Sequence, residues 1–174
     1  EIGTCLLTGI ITDTGGFKYS GVTAETFEFA AWLLEKGVNV SNVYRNVLQT
    51  VTMGSFELNR IARNRVEFFE NGKVAFTYIT KEDEKTVKAE TGDYEGIVDI
   101  GRDVEGVEIS IFLRELEKGG YKVSMRSNDY VNVSDICLMF GGGGHIKAAG
   151  CTISSGTLEQ VRDKVIAQAK LHLK

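Results

Sequence analysis

Helical spacing of apolar residues governs the first fifty or so positions, and alternation takes over further along. Phe27, Ala30, Ala31 and Leu34 recur at three- and four-residue intervals. Thr23 stands before this run as an N-cap, and Gly37 follows it as a C-terminal stop. A second stretch, opened by Ser41, puts Tyr44, Val47, Leu48 and Val51 on one face, and residues 1–7 read as the middle of a helix. Leu58, Ile61, Ala62, Val66 and Phe69 predict a connecting helix over 55–69, closed by the turn pair Asn71-Gly72. From Lys73 the period shortens to two. Residues 73–80 are rich in β-branched and aromatic side chains and predict a strand. Val107, Ile109, Ile111 and Leu113 alternate in another, and Gly119-Gly120 turns the chain into residues 121–126, predicting a hairpin. The polar stretch 81–93 reads as a loop or short helix. Residues 94–104 and 133–140 read as helices, the latter capped by Asn132. A short strand is expected over 151–154, and Thr157 with Gln160 forms a capping box for the last helix. The fold class is therefore α/β: a helical segment followed by an α/β domain with a mixed β-sheet.

The stretch from Phe140 to Gly150 carries the candidate chemistry. Glycine loses more backbone freedom on folding than any other residue, and here four stand in a row, Gly141 to Gly144. They lie between the apolar run 136–140 and the small pair Ala148-Ala149, a packed setting unlike a Ser- or Pro-rich linker. Successive bare N–H groups can cradle an anion, and His145 adds a directional donor. A helix opening at His145 would aim its positive end at the same place. The expectation is a phosphate-binding loop. It is neither a Walker loop, since Lys147 precedes Ala148, nor a dinucleotide fingerprint. In the strand 121–126, Lys122, Ser124 and Arg126 point away from Tyr121, Val123 and Met125. The planar fork of Arg126 suits phosphate oxygens.

Residues 142–150, Gly-Gly-Gly-His-Ile-Lys-Ala-Ala-Gly, resemble the signature of the C-terminal domain of DHH-family phosphoesterases. Residues 7–17, from Leu7 through Asp13 to Phe17, are similar to the last metal-binding motif of that family's catalytic domain, and residues 122–127 resemble its strand carrying a substrate-binding arginine. The resemblance covers almost the whole chain and is strongest to the oligoribonuclease and 3′-phosphoadenosine-5′-phosphate (pAp) phosphatase branch. It implies three segments: 1–54 as the helical end of the catalytic domain, 55–72 as a connecting helix, and 73–174 as the DHH-associated substrate-binding domain. It implies that Arg126, Gly142, Gly143, Gly144 and His145 grip the phosphate of a short oligonucleotide or phosphorylated nucleotide. Asp13 would be one ligand of a two-ion Mn2+ centre in a phosphohydrolase. The chain has no Asp-His-His triplet and no paired-Asp motif before Asp13. The other ligands are therefore expected upstream of Glu1, and the chain alone is expected to hold no metal tightly and no catalytic residue. The alternative is a single-stranded nucleic-acid-binding module of an exonuclease, non-catalytic by itself; a purely structural or dimerising domain is a third reading, and a homodimer is left open.

Charge and cysteine content narrow the partners. The net charge of −4 does not suit a protein that grips long duplex DNA, although a local pocket can still be basic. No apolar run approaches the roughly 20 residues of a membrane helix. Cys5, Cys137 and Cys151 are scattered and read as buried thiols of a cytoplasmic protein. A zinc site is not expected, the other soft ligands being His145 and His172.

Overall fold

Leu7 and Ile11 lie one turn apart on helix α1 (Ile2–Asp13) and are fully buried with Leu33 of α2 (Ala24–Glu35) and Val43 of α3 (Val40–Tyr44). The computed structural model describes residues 1–174 and separates this helical unit, Glu1–Val51, from a second unit, Thr52–Lys174. Thr23 caps α2 in reciprocal bonds with Thr26. The cap of α3 is Asn39 rather than Ser41: its side-chain oxygen accepts the Asn42 amide at 2.9 Å. Asn caps as well as Ser does, and the earlier start brings Val43 into the core. The helix ends in a wider π-turn, Arg45–Gln49.

In the second unit, helix α4 (Met53–Asn64) leads into a six-stranded sheet ordered β1-β2-β3-β4-β6-β5. The strands are β1 (Glu67–Phe69), β2 (Val74–Ile79), β3 (Ile109–Glu115), β4 (Tyr121–Ser127), β5 (Gly143–His145) and β6 (Ala148–Ile153). Only β2 and β3 pair in parallel, which demands a long crossover. That crossover holds α5 (Lys81–Val87) and α6 (Asp99–Arg102). The remaining helices are α7 (Val133–Leu138) and α8 (Leu158–Lys170). The helix expected over 55–69 stops at Asn64, and its last residues form β1 instead. Val66 and Phe69 fit a helical stripe, but Glu70, Asn71 and Gly72 all take positive φ and fold β1 back onto β2. The helix expected over 94–104 shrinks to α6, because Gly96 at φ 79° interrupts it.

Parity along the strands sets the layers. Phe76, Ile109, Ile111, Val123 and Met125 face α7 and α8 and form the larger core. On the opposite face, Ile79 and Phe112 pack with Leu58 and Ala62 of α4 and with Ile97 and Ile100. This second layer packs on β2 and β3, with α6 also touching β4. Beyond it, Lys122, Thr152 and His145 are exposed on the same side of the sheet. The loop after β4 is held by a buried carboxylate: Glu108 accepts the amides of Asp129, Tyr130 and Val131, the last at 2.7 Å. Asn128 donates to the carbonyls of Arg102 and Val107, both at 2.9 Å.

Arg65 stacks on Tyr78, 4.6 Å from its ring centre, and forks onto Asp83. Burial pushes the Asp83 carboxyl up, but the bonds from Arg65 and Thr80 outweigh it and hold the group below its ordinary value. A carboxylate depressed in the folded state stabilises above its unfolded pKa of about 3.9, and the contribution fades as pH falls through and below that value. Urea midpoints should therefore drop between pH 6 and pH 2.5 by more in the native chain than in Asp83→Asn. Parallel curves for the two proteins would show that Asp83 carries no such linkage.

Candidate functional site

Directly opposed residues in antiparallel strands share a face, so the registers lay out the uncovered side of the sheet row by row. One row runs His145–Ala148–Arg126–Ser110 across β5, β6, β4 and β3. The next is Gly143–Gly150–Ser124–Phe112, and a third is Thr152–Lys122–Arg114. The centre of the face is nearly bare backbone: Gly143, Gly150, Ala148 and Ser124. Cationic and imidazole side chains rim it. Ala148 separates His145 from Arg126, whose Cα atoms stand two strand spacings apart, about 10 Å. A methyl group is too short to fill the space between the two longer side chains.

The glycines divide by what the fold requires of each. Gly141 adopts φ 73° just past α7 and donates to Leu138, while Gly142 donates to Cys137 at 2.9 Å. These two bonds form a Schellman cap. A Cβ on Gly142 would stand 2.2 Å from the Gly150 carbonyl oxygen and 2.4 Å from the Cys151 Cβ. One on Gly144, at φ 153°, would stand 2.5 Å from the Ala148 carbonyl oxygen. Gly143 differs: a Cβ there meets nothing closer than a Leu138 methyl at 3.9 Å, and its φ is unrestricted. The expected nest of free amides is therefore corrected at its first members, because the amides of Gly141 and Gly142 cap α7. The expected helix at His145 is corrected too. His145 ends an edge strand, and Ile146-Lys147 turns the chain into β6.

Arg126 is half-buried, and one of its guanidinium nitrogens donates to the Met125 carbonyl at 3.1 Å. His145 is exposed. Lys147 is turned away from the face and donates to the Asp129 carbonyl. Two depressions meet at Lys122. One, of about 450 Å³, is floored by Gly142, Gly143, Gly150 and Cys151. The other, of about 580 Å³, runs past Ser124 and Arg126 to Arg114, with Tyr94 and Glu95 on its far wall. Arg114 and Tyr94 were not among the sequence candidates. The alternation that marked Ile109, Ile111 and Leu113 as inward also put Arg114 on the opposite parity, with Ser110 and Phe112, so a signal for Arg114 was present. Of the cysteines, Cys137 and Cys151 are buried as expected, but Cys5 is exposed. The mutual influence of the two thiols pushes Cys137 up and holds Cys151 down.

Asp13 closes helix α1 in the first unit and is exposed. Its surroundings include Gly9, Thr14, Thr23 and one further acid, Glu25. No group of three or more His, Cys, Asp or Glu side chains in the chain could hold a metal ion. Hard divalent cations need several such ligands together, so the residues present do not fit a two-ion centre.

The second unit is thus an α/β domain whose mixed sheet carries α7 and α8 on one side, α4 and α6 over β2 and β3 on the other, and a basic-rimmed, glycine-floored area beside them. Residues 71–171 match the DHHA1 domain, and the chain belongs to that family. It is 35% identical over 173 residues, 99% of its length, to the bifunctional oligoribonuclease and PAP phosphatase NrnA of Thermus thermophilus, of which it covers 51%. It is 27% identical over 169 residues to the A-adding tRNA nucleotidyltransferase of Aquifex aeolicus, covering 96% of this chain and 20% of that protein. Among solved structures, an exopolyphosphatase-related protein from Bacteroides fragilis superposes with a TM-score of 0.89 at 29% identity, over 97% of this chain and 49% of that one. The chain thus spans about half the length of the NrnA relative. No helix is long and apolar enough to cross a membrane.

The glycine distinctions predict stability directly. Gly142→Ala and Gly144→Ala should each destabilise the chain by roughly 1–3 kcal/mol through overpacking against backbone, whereas Gly143→Ala should stay within about 0.5 kcal/mol of the native value. Thermal unfolding of the three variants checks this. A Gly143→Ala loss as large as the other two would refute the assignment.

Proposed function

We propose that the bare face of β4, β6 and β5 binds the phosphate of a short oligonucleotide or of pAp, and that the chain is the substrate-binding portion of a manganese-dependent phosphoesterase. The observation that carries this reading is the row His145–Ala148–Arg126. Two side chains that can donate to phosphate oxygens flank a methyl group, and the backbone of Gly143 lies in the adjoining row. Arg126 has no carboxylate partner, and with one Nη engaged by the Met125 carbonyl its other Nη and its Nε are left for a bidentate contact. Gly143 is bare without structural need, which fits a ligand that approaches the main chain closely. Manganese enters the reading only through Asp13, together with ligands that these 174 residues do not supply. The similarity to the Thermus thermophilus relative supports the choice of substrates.

The similarity to a tRNA nucleotidyltransferase favours a second reading, a nucleic-acid-binding module that does no hydrolysis. Salt dependence separates the two. Single-strand binding weakens with salt with a log–log slope of about 0.7 per phosphate contacted, so a seat for one or two phosphates gives a shallow slope and an extended strand a steep one.

Calorimetry on the 174-residue chain with pAp and with a 5′-phosphorylated trinucleotide tests the proposal. Binding of at least one ligand is expected. Arg126→Gln and His145→Ala should each weaken it about tenfold, the scale of one charge-assisted hydrogen bond, and Gly143→Ala should weaken it while leaving thermal stability unchanged. No measurable binding at millimolar ligand, or native affinity in both the Arg126 and His145 variants, would remove the assignment.

A further inference from the structure

Most arginines of the second unit are held by acids. Arg60 pairs with Glu57, Arg65 with Asp83, Arg102 with Asp99, and Arg162 with Glu67 and Asp163. Arg63 is exposed. Arg114 and Arg126 stand apart: neither belongs to an ion pair, and both line the same 580 Å³ groove. Arg114 is also positioned. Its guanidinium lies 4.4 Å from the centre of the Tyr94 ring, and its Nε is buried with no hydrogen-bond partner. The contrast with Arg65 is instructive, because Arg65 makes the same kind of stack on Tyr78 but its fork is filled by Asp83. A guanidinium held over a ring, with an unfilled donor and no ion-pair partner, is arranged for an anion from outside the chain.

Its position gives the spacing. Arg114 lies opposite Lys122 on β4, four residues from Arg126, and at about 3.3 Å per residue the two rows are about 13 Å apart. A single ribose separates the two phosphates of one nucleoside bisphosphate, a shorter span. We infer that Arg114, stacked on Tyr94 and supported by Lys122, forms a second phosphate site, and that the groove takes a single-stranded oligonucleotide longer than two nucleotides. Arg126 and His145 then hold one phosphate, and Arg114 holds another further along the same strand. Ser124 and the buried Phe112 lie between them and line the groove, so the only exposed or half-exposed side chain on the direct path is a serine. The inference rests on the proposed function of the face and adds a length requirement to it.

Binding of 3′-fluorescein pentaadenylate carrying a 5′-phosphate, and of pAp, is measured for the native chain and for Arg114→Gln, Arg114→Lys and Arg126→Gln, with circular dichroism and melting curves to confirm folding. Arg114→Gln should weaken the pentamer about tenfold, leave pAp within about twofold, and reduce the pentamer's salt slope by about 0.7. Arg114→Lys keeps the charge and should keep the slope while losing part of the affinity. Arg126→Gln should weaken both ligands. If Arg126→Gln weakens both while Arg114→Gln leaves the pentamer untouched, or weakens both ligands equally, the second site is overturned and the first reading stands. If the native chain binds neither ligand, both readings are overturned together.

Discussion

The contact of the glycine segment with strand β6 is the constraint on which the site depends. Gly142 and Gly144 lie so close to the backbone of residues 148–151 that neither has room for a side chain. That closeness lets β5 pair as an edge strand only five residues on from the end of α7. It sets the register that puts His145 and Gly143 on the same face as Arg126 and Ser124. The buried side of the same strands supplies Ala149 and Met125 to the main core, beneath α7 and α8. One segment therefore caps a helix, closes a sheet and presents a flat main-chain surface, and only glycine at these positions allows all three.

Charge is distributed to match. The chain is acidic overall, at −4, and Arg60, Arg65, Arg102 and Arg162 are neutralised locally by neighbouring carboxylates. Two of the unpaired arginines line the groove. Arg114, Lys122 and Arg126 line it with one carboxylate, Glu95, on the opposite wall. Because exposed ion pairs contribute little stability, the pairing elsewhere matters less for the fold than for where positive potential remains.

The sequence made much of this legible. The alternation of Tyr121, Val123 and Met125 with Lys122, Ser124 and Arg126 determined which way Arg126 points, because strand parity is local. Thr23, Asn132 and Thr157 announced their helices for the same reason. Other features depend on partners distant in the chain. Whether the amides of Gly141 and Gly142 are free depends on the carbonyls of Cys137 and Leu138 and on how α7 ends, so a nest and a helix cap read alike in one dimension. Residues 66–69 satisfy both a helical stripe and a strand, and only the pairing of Phe68 with Ala75 decides between them. Arg114 lay on a legible parity, but its case rests on its lack of an ion-pair partner, which no local pattern encodes.

The most direct test of the central claim, that the uncovered face of β4, β6 and β5 seats a phosphate, is a nitrogen-15 NMR titration of the chain with pAp. The account predicts that the amide signals of Ser124, Gly143, Ala148 and Gly150 move together with one saturation curve while those of α8 stay in place. Movement confined to α8 and the core face of the sheet, or no movement at millimolar pAp, would contradict it.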